Sequence, residues 1–263
     1  MRTDDGTCLQ VVTEGRVAIF TLNRPQALNA LNRQLLEALD AALARLEQEP
    51  EIRCLVVTGA GERAFVAGAD IAEMRGLAAP QARALSALGQ RVFARLSAFP
   101  WPSLAAVNGF ALGGGCELAM ACDLIYAAEE ATFGLPEIKL GLVPGFAGTS
   151  RLPQRIGQAR ASLWIWSGAT QTAAAAQAAG LVLECLPRAE LLPHVLELAA
   201  QLAAQAPLAL LAAKRLLGAG GRAQIERAAP LEQAEFAQLF ATADGQEGLA
   251  AFLGRRPPQF GGH

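Results

Sequence analysis

A change of pattern near Thr149 constrains this chain more than any other feature. Before it, short apolar runs alternate with helical periodicities; after it, alanine- and leucine-rich helical segments dominate. RVAIFTL, residues 16–22, is rich in β-branched and aromatic residues and reads as a strand. Leu31, Leu35, Leu39, Leu43 and Leu46 recur at spacings of three and four, the stripe of an amphipathic helix. CLVVTG, residues 54–59, is short and apolar, as suits a strand covered on both faces. A loop and a helical stretch over 80–98 follow, then SLAAVNG as a strand, GGGCELAMAC as a turn into a helix, and DLIYAA as a strand. Such alternation predicts an α/β core with substantial parallel pairing. Beyond Thr149 helices are predicted over 160–166, 173–179, 191–204, 208–217 and 225–240, with one strand at 181–186. The chain therefore divides into an α/β core, residues 1–200, and a helical carboxy-terminal region, residues 201–263. No low-complexity linker parts them, so the two are expected to pack closely.

The bulk numbers exclude several classes. Lysine and arginine total 22 against 24 acidic residues, a net charge of -2 without the basic excess of a nucleic-acid binder. A small anionic ligand needs only a few local arginines. Cys8, Cys54, Cys116, Cys122 and Cys185 are odd in number and irregular in spacing, without a CxxC, so neither a disulfide framework nor a zinc site is indicated and a cytoplasmic location is expected. The amino terminus carries an acidic pair where a signal peptide needs a basic and then an apolar run. The long apolar region 104–122 is interrupted by Asn108, three consecutive glycines and Glu117, so it reads as strand, turn and helix rather than a membrane span.

Some chemistries lack material. The only histidines are His194, in a helical stretch that suits surface or packing, and the terminal His263, so a serine–histidine–acid triad or a histidine-rich metal site is not supported. Gly59-Ala60-Gly61-Glu62-Arg63-Ala64 follows a strand and fits a dinucleotide-binding glycine pattern. That pattern needs a helix opening at the glycines and an acidic residue about 20 positions later. Here residues 65–68 read as a loop and no acidic residue lies between Glu73 and Glu117, leaving a turn after a strand.

Two glutamates remain in unusual surroundings. Glu117 is the one charge in Gly113-Gly114-Gly115-Cys116-Glu117-Leu118-Ala119-Met120-Ala121, and Glu137 lies in Phe133-Gly134-Leu135-Pro136-Glu137-Ile138. A carboxylate in apolar surroundings tends towards a raised pKa, which suits proton transfer near neutral pH. Equally, Glu117 reads as a first-turn residue favoured by the helix dipole, and Glu137 as a solvated residue after a proline turn. Gly113-Gly114-Gly115 before a helix, and Gly68-Ala69-Asp70 before a short one, leave backbone N–H groups bare for a ligand oxygen. Each loop alone is also ordinary turn chemistry.

Taken together, Ala64-Phe65-Val66-Ala67-Gly68-Ala69-Asp70-Ile71, the run Ala106-Val107-Asn108-Gly109-Phe110-Ala111-Leu112 continuing into the three glycines and Glu117, and Phe133-Gly134-Leu135-Pro136-Glu137 resemble the enoyl-CoA hydratase/isomerase (crotonase) family. Further matches run from Asn23-Arg24-Pro25 to Glu247-Gly248-Leu249-Ala250-Ala251-Phe252, so the resemblance covers nearly the whole chain. It implies a spiral of ββα units followed by helices that assemble a homotrimer or homohexamer. It also implies an acyl-CoA thioester substrate whose carbonyl sits between the N–H groups of Ala69 and Gly114. Ala67, Gly68, Asp70, Ile71, Ala72 and Gly145 are the further expected substrate and CoA contacts. In the family's hydratases two carboxylates grip one water; those positions fall on Glu117, the base, and Glu137, the proton donor to the α-carbon. Isomerases keep the carboxylate matching Glu137 and lose the one matching Glu117, so the pair implies hydration of trans-2-enoyl-CoA to 3-hydroxyacyl-CoA, as in fatty acid β-oxidation or related acyl-CoA catabolism. The rivals are isomerisation, hydration in a branched or aromatic pathway, and a non-catalytic acyl-CoA- or RNA-binding scaffold. No metal and no cofactor is implied, coenzyme A being part of the substrate, and neither nucleic acid nor a membrane is an expected partner.

The chain departs from the family pattern at two places. Many hydratases carry a lysine where this chain has Ala72, which makes Arg24, Arg63 and Arg75 the candidate substitutes at the CoA phosphates. The family's P-G-x-G-G-T appears as Pro144-Gly145-Phe146-Ala147-Gly148-Thr149, with an extra methyl at Ala147. Arg255 or Arg256 is a further candidate CoA contact, within the chain or from a neighbouring subunit.

Overall fold

The computed structural model describes residues 7–262; His263, one of the two histidines, lies outside the described residues. Strands β1 (Leu9–Glu14) and β2 (Val17–Leu22) form an antiparallel hairpin. Helix α1 (Arg33–Leu46) follows, capped by Asn32, whose side chain accepts from the Leu35 N–H at 2.9 Å. It buries Leu35, Leu36, Leu39, Leu43 and Leu46, the stripe that the leucine spacing predicts.

Three strand–strand–helix units come next. The first is β3 (Cys54–Gly59), β4 (Ala64–Val66), the one-turn α2 (Ile71–Met74) and α3 (Ala79–Ala98). The second is β5 (Ser103–Val107), β6 (Phe110–Leu112) and α4 (Gly114–Ala121). The third is β7 (Leu124–Ala128), β8 (Thr132–Gly134), a 3-10 turn over Pro136–Leu140, then α5 (Gly148–Ile156) and α6 (Gln158–Ser167). In each unit one strand joins a six-stranded sheet, ordered β1-β2-β3-β5-β7-β10, and the next joins a four-stranded sheet, β4-β6-β8-β9. The remaining elements are β9 (Gln171–Thr172), α7 (Ala173–Ala178), β10 (Glu184–Leu186), α8 (Arg188–Ala203), α9 (Pro207–Phe240) and α10 (Ala243–Leu253). Pairing from β2 through β10 in the larger sheet is parallel, and β3 and β5 are buried along their whole length, their polar Thr58 and Ser103 hydroxyls donating to Ala106 O and Asp123 Oδ2. This is the expected α/β spiral of ββα units with a helical carboxy-terminal region.

Two expectations are corrected. Residues 64–66 form a strand where a loop was predicted, because a three-residue pairing with β6 leaves no periodic signal. The segments 208–217 and 225–240 belong to one 34-residue helix, α9. Glycine ends a helix by turning left-handed, and none of Gly218, Gly220 and Gly221 does so. The glycine pattern at 59–64 is a turn between β3 and β4, pinned by Asn108, whose Nδ2 donates to the carbonyls of Gly59 at 2.9 Å and Gly61 at 2.8 Å. His194 is half-exposed and lies 3.6 Å from Glu184 Oε2. Among the described residues no single helix is long and apolar enough to cross a membrane, and α8 and α9, which would suffice together, meet at a 111° bend.

Candidate active site

A largely apolar cavity of about 290 Å³ opens where β4, β6 and β8 end, with α9 and α10 closing its far side. Glu117 and Glu137 are the charged residues in its wall among the described residues, and Ala67, Gly68, Ala69, Ile71, Gly114 and Gly145 line it with them. Two expected contacts lie elsewhere. Asp70 turns to cap α2, accepting from the Glu73 N–H, and pairs with Arg24 Nη2 at 2.9 Å. Ala72 is exposed on the outer face of α2. Arg24 is thereby committed to Asp70 and to the carbonyl of Ala30, whereas Arg63 and Arg75 are exposed and make no ion pair among the described residues. Arg256 is held by Glu247.

Glycines set the backbone of the site. Gly113 has φ +50 and ψ -124, a conformation that suits glycine, and a Cβ there would stand 2.8 Å from Glu137 Oε1 and 3.8 Å from the Gly68 Cα. The loop carrying Gly68 and the start of α4 thus face each other at close range. At Gly115 a Cβ would meet the Val66 carbonyl at 2.1 Å, so only glycine lets α4 seat against β4. Two N–H groups remain unused at this junction among the described residues. The Leu31 N–H donates to Gly68 O at 2.8 Å and the Asp70 N–H to Leu31 O at 2.9 Å, which bypasses Ala69 between them. Gly114, the first residue of α4, has no intrahelical acceptor for its N–H.

Glu117, 1% exposed, points from the first turn of α4 across to the start of α5. Its Oε1 accepts from the N–H groups of Phe146 at 2.8 Å and Gly148 at 2.7 Å. Burial and the charge of Glu137 raise its pKa well above the ordinary value, and the two N–H donors counter this in part. Glu137 stands in the 3-10 turn with its Oε2 buried and without a hydrogen-bond partner among the described residues. Burial pushes its pKa up to about 8, so it holds a proton at neutral pH. Both glutamates are therefore perturbed groups in one cavity; Glu117 does stand in the first turn of its helix, as the dipole reading expects, whereas the reading of Glu137 as a solvated residue is set aside.

A third carboxylate was not anticipated. Glu232, 6% exposed on α9, accepts at Oε1 from Gln90 Nε2 at 3.0 Å and from the Ala147 N–H at 2.5 Å. Its Oε2 accepts from the Thr149 N–H at 3.1 Å and from the Thr149 hydroxyl. Phe236, one turn on, lines the cavity and packs on Gly145. The readable signal was the spacing: Glu232, Phe236 and Phe240 fall at i, i+4 and i+8, an acid on an apolar stripe. Ala147, whose methyl departs from the family pattern, takes the left-handed conformation at φ 75 as the residue before α5.

Known proteins resemble this chain over nearly its whole length. The enoyl-CoA hydratase/isomerase family model matches residues 13–263. The chain is 43% identical to a crotonyl-CoA hydratase of Syntrophomonas wolfei, over 94% of this chain and 95% of that one. It is 44% identical to a 2,3-dehydroadipyl-CoA hydratase of Escherichia coli, over 97% and 98%. A crystal structure of an enoyl-CoA hydratase from Mycobacterium avium subsp. paratuberculosis superposes with a TM-score of 0.88 at 30% identity, over 97% of this chain and 98% of that one. With the spiral fold, the cavity and these full-length matches together, the chain belongs to the enoyl-CoA hydratase/isomerase family.

Proposed function

We propose that this protein is an enoyl-CoA hydratase, adding water reversibly to a trans-2-enoyl-CoA to give the 3-hydroxyacyl-CoA. The observation that carries this reading is the convergence of Glu117 and Glu137 on a cavity that also presents two unused backbone N–H groups, at Ala69 and Gly114. The thioester oxygen is held by those two donors, which stabilise it as negative charge develops; one such donor is typically worth about 10²–10³ in rate. Water is held between the glutamates. Burial raises the Glu117 pKa, but a protonated Glu137 adds no charge to raise it further, and the Phe146 and Gly148 N–H groups favour the ionised form. Ionised Glu117 takes a proton from the water as the oxygen bonds to the β-carbon. Glu137, protonated at neutral pH, gives its proton to the α-carbon of the enolate. Return of the proton from Glu117 to Glu137 closes the cycle.

The acyl chain we assign is short to medium and uncharged. The wall around the glutamates is built from Met74, Leu85, Leu142, Phe146 and Phe236 and, among the described residues, offers no cation to a terminal carboxylate. We also propose a homotrimer or a hexamer built from it. Leu208, Leu216 and Leu217 on α9 are 81%, 72% and 87% exposed, an apolar face that water alone covers poorly, while Leu211 is already half-buried. Five free thiols support a cytoplasmic site of action.

The deciding experiment offers a panel of trans-2-enoyl-CoAs, including crotonyl-CoA and 2,3-dehydroadipyl-CoA, and follows loss of the conjugated absorbance with chromatography of the products. Hydration of crotonyl-CoA in preference to the dicarboxylic substrate is expected. A shifted double bond without a hydroxyl would overturn the reading in favour of isomerisation.

A further inference from the structure

Four consecutive N–H groups at the start of α5 are shared alternately between two carboxylates. Phe146 and Gly148 donate to Glu117 Oε1, at 2.8 and 2.7 Å. Ala147 and Thr149 donate to Glu232, at 2.5 and 3.1 Å. The Thr149 hydroxyl adds a further bond to Glu232. The same stretch is gripped just before, where Gly145 O accepts from Ser86 Oγ at 2.6 Å and from Gln90 Nε2 at 3.2 Å. Successive N–H groups diverge in such a turn, so what fixes residues 147 and 149 also fixes 146 and 148.

We propose that Glu232 is a positioning residue for the hydration step: acting from α9, it holds the 146–149 turn in the conformation that fixes the Glu117 carboxylate against water. The proposal rests on the hydratase reading of the cavity. Its geometry is specific. Ala147 is left-handed, a conformation disfavoured for a residue with a Cβ, and its N–H is held by Glu232. Among the described residues Glu232 faces three N–H donors and one hydroxyl, a set that favours the ionised form, although burial raises its pKa.

The ionisable groups that face Glu232 are Glu117 from α4, Glu137 from the 3-10 turn and Arg151 from α5. Helix α3 presents the neutral Ser86 and Gln90; its Arg95 is committed to Asp40 and Glu47, Arg91 to Asp40, and Arg83 is exposed. From α10, Asp244 accepts from the Gly261 and Gly262 N–H groups and Glu247 pairs with Arg256. A negative Glu232 raises the pKa of both Glu117 and Glu137. Removing its charge therefore lowers both, and the pH profile of turnover moves towards acid.

The test measures crotonyl-CoA hydration by Glu232→Ala, Glu232→Gln and Thr149→Val, with Glu117→Gln and wild type in parallel. Glu232→Ala is expected to lose about 10²-fold in kcat with KM little changed, the scale of loss from a small misplacement of a reacting group. Glu232→Gln keeps an acceptor for Ala147 and should recover much of that loss, with its pH profile displaced towards acid. Thr149→Val keeps the fold and loses one donor, and should cost about 10-fold in kcat. Wild-type kcat and an unmoved pH profile in the folded Glu232→Gln and Thr149→Val proteins would overturn the proposal, as would a rise in KM alone. If wild type itself fails to hydrate, or Glu117→Gln hydrates normally, it is the hydratase reading that fails instead.

Discussion

Gln90 Nε2 donates to Glu232 Oε1 at 3.0 Å, joining two residues 142 positions apart. The bond ties α3 to α9 directly behind the cavity, and Gln233 Nε2 doubles it by donating to Gln90 Oε1 at 2.7 Å. A buried amide left without these partners would forfeit about 1–3 kcal/mol, so the junction specifies how α9 lies on the core. The helical carboxy-terminal region is thereby a wall of the site as well as a candidate assembly surface.

Replacing either carboxylate at the water position removes proton exchange and keeps size. Glu117→Gln and Glu137→Gln are each expected to lower hydration by about 10²–10⁴. In the proposed mechanism the pair acts as a unit, so the double variant should be little worse than the poorer single one. Steady-state rates on crotonyl-CoA check this; wild-type hydration by both single variants would remove the glutamates from the mechanism.

In the proposed mechanism Gly114 acts through its N–H, and its position as first residue of α4 is one where proline is tolerated. Gly114→Pro should cut turnover about 10²–10³-fold. A Cβ here comes 3.0 Å from Leu31 Cδ1 and 3.1 Å from Phe146 Cδ2, so Gly114→Ala, which keeps the N–H, is the control for crowding. Equal losses in the two variants, with circular dichroism showing both folded, would assign the effect to sterics.

Gly113 combines a positive φ with a Cβ direction that points at Glu137 Oε1, 2.8 Å away. Gly113→Ala should destabilise the protein by about 1–2 kcal/mol through backbone strain alone. It should also lose turnover out of proportion, because the Glu137 carboxylate must move. Urea unfolding and kcat measured on the same preparation separate the two effects.

A pKa raised from an ordinary 4.5 to about 8 means that folded Glu137 binds its proton more tightly than the unfolded chain does. Its stabilising contribution is complete below about pH 4.5 and is lost as pH rises towards 8, by at most about 1.4 kcal/mol per unit. Glu137→Gln cannot ionise, so relative to wild type it should gain on the order of 4 kcal/mol between pH 5 and pH 8.5. Denaturant midpoints at the two pH values test this, and parallel pH dependences would show that Glu137 titrates normally.

Charge placed on the exposed face of α9 probes assembly. Leu217→Glu, at a position 87% exposed, should leave the fold of the chain intact and shift sedimentation from trimer or hexamer towards monomer. A wild-type protein that sediments as a folded monomer at micromolar concentration would refute the assembly.

The primary sequence by itself determined the elements whose side chains repeat with a regular period and the loops whose backbone needs glycine. The leucine stripe of α1, the apolar strands β3 and β5, and the glycine run ahead of α4 are all local patterns, as is the isolation of Glu117 and Glu137 among apolar neighbours. Tertiary structure alone decided the pairings that join distant positions. The three-residue strands β4, β6 and β8 exist because each lies beside the next in the second sheet, and no period can be read from three residues. The continuity of α9 followed from packing against α3 rather than from the glycines at its centre, which propensity alone would have made a break. Glu232 sat in plain view on an apolar helical stripe, but its role depends on the N–H of Ala147, 85 positions earlier. A periodic pattern reports which face of a helix is buried; only the folded chain shows which unsatisfied donors are buried against it.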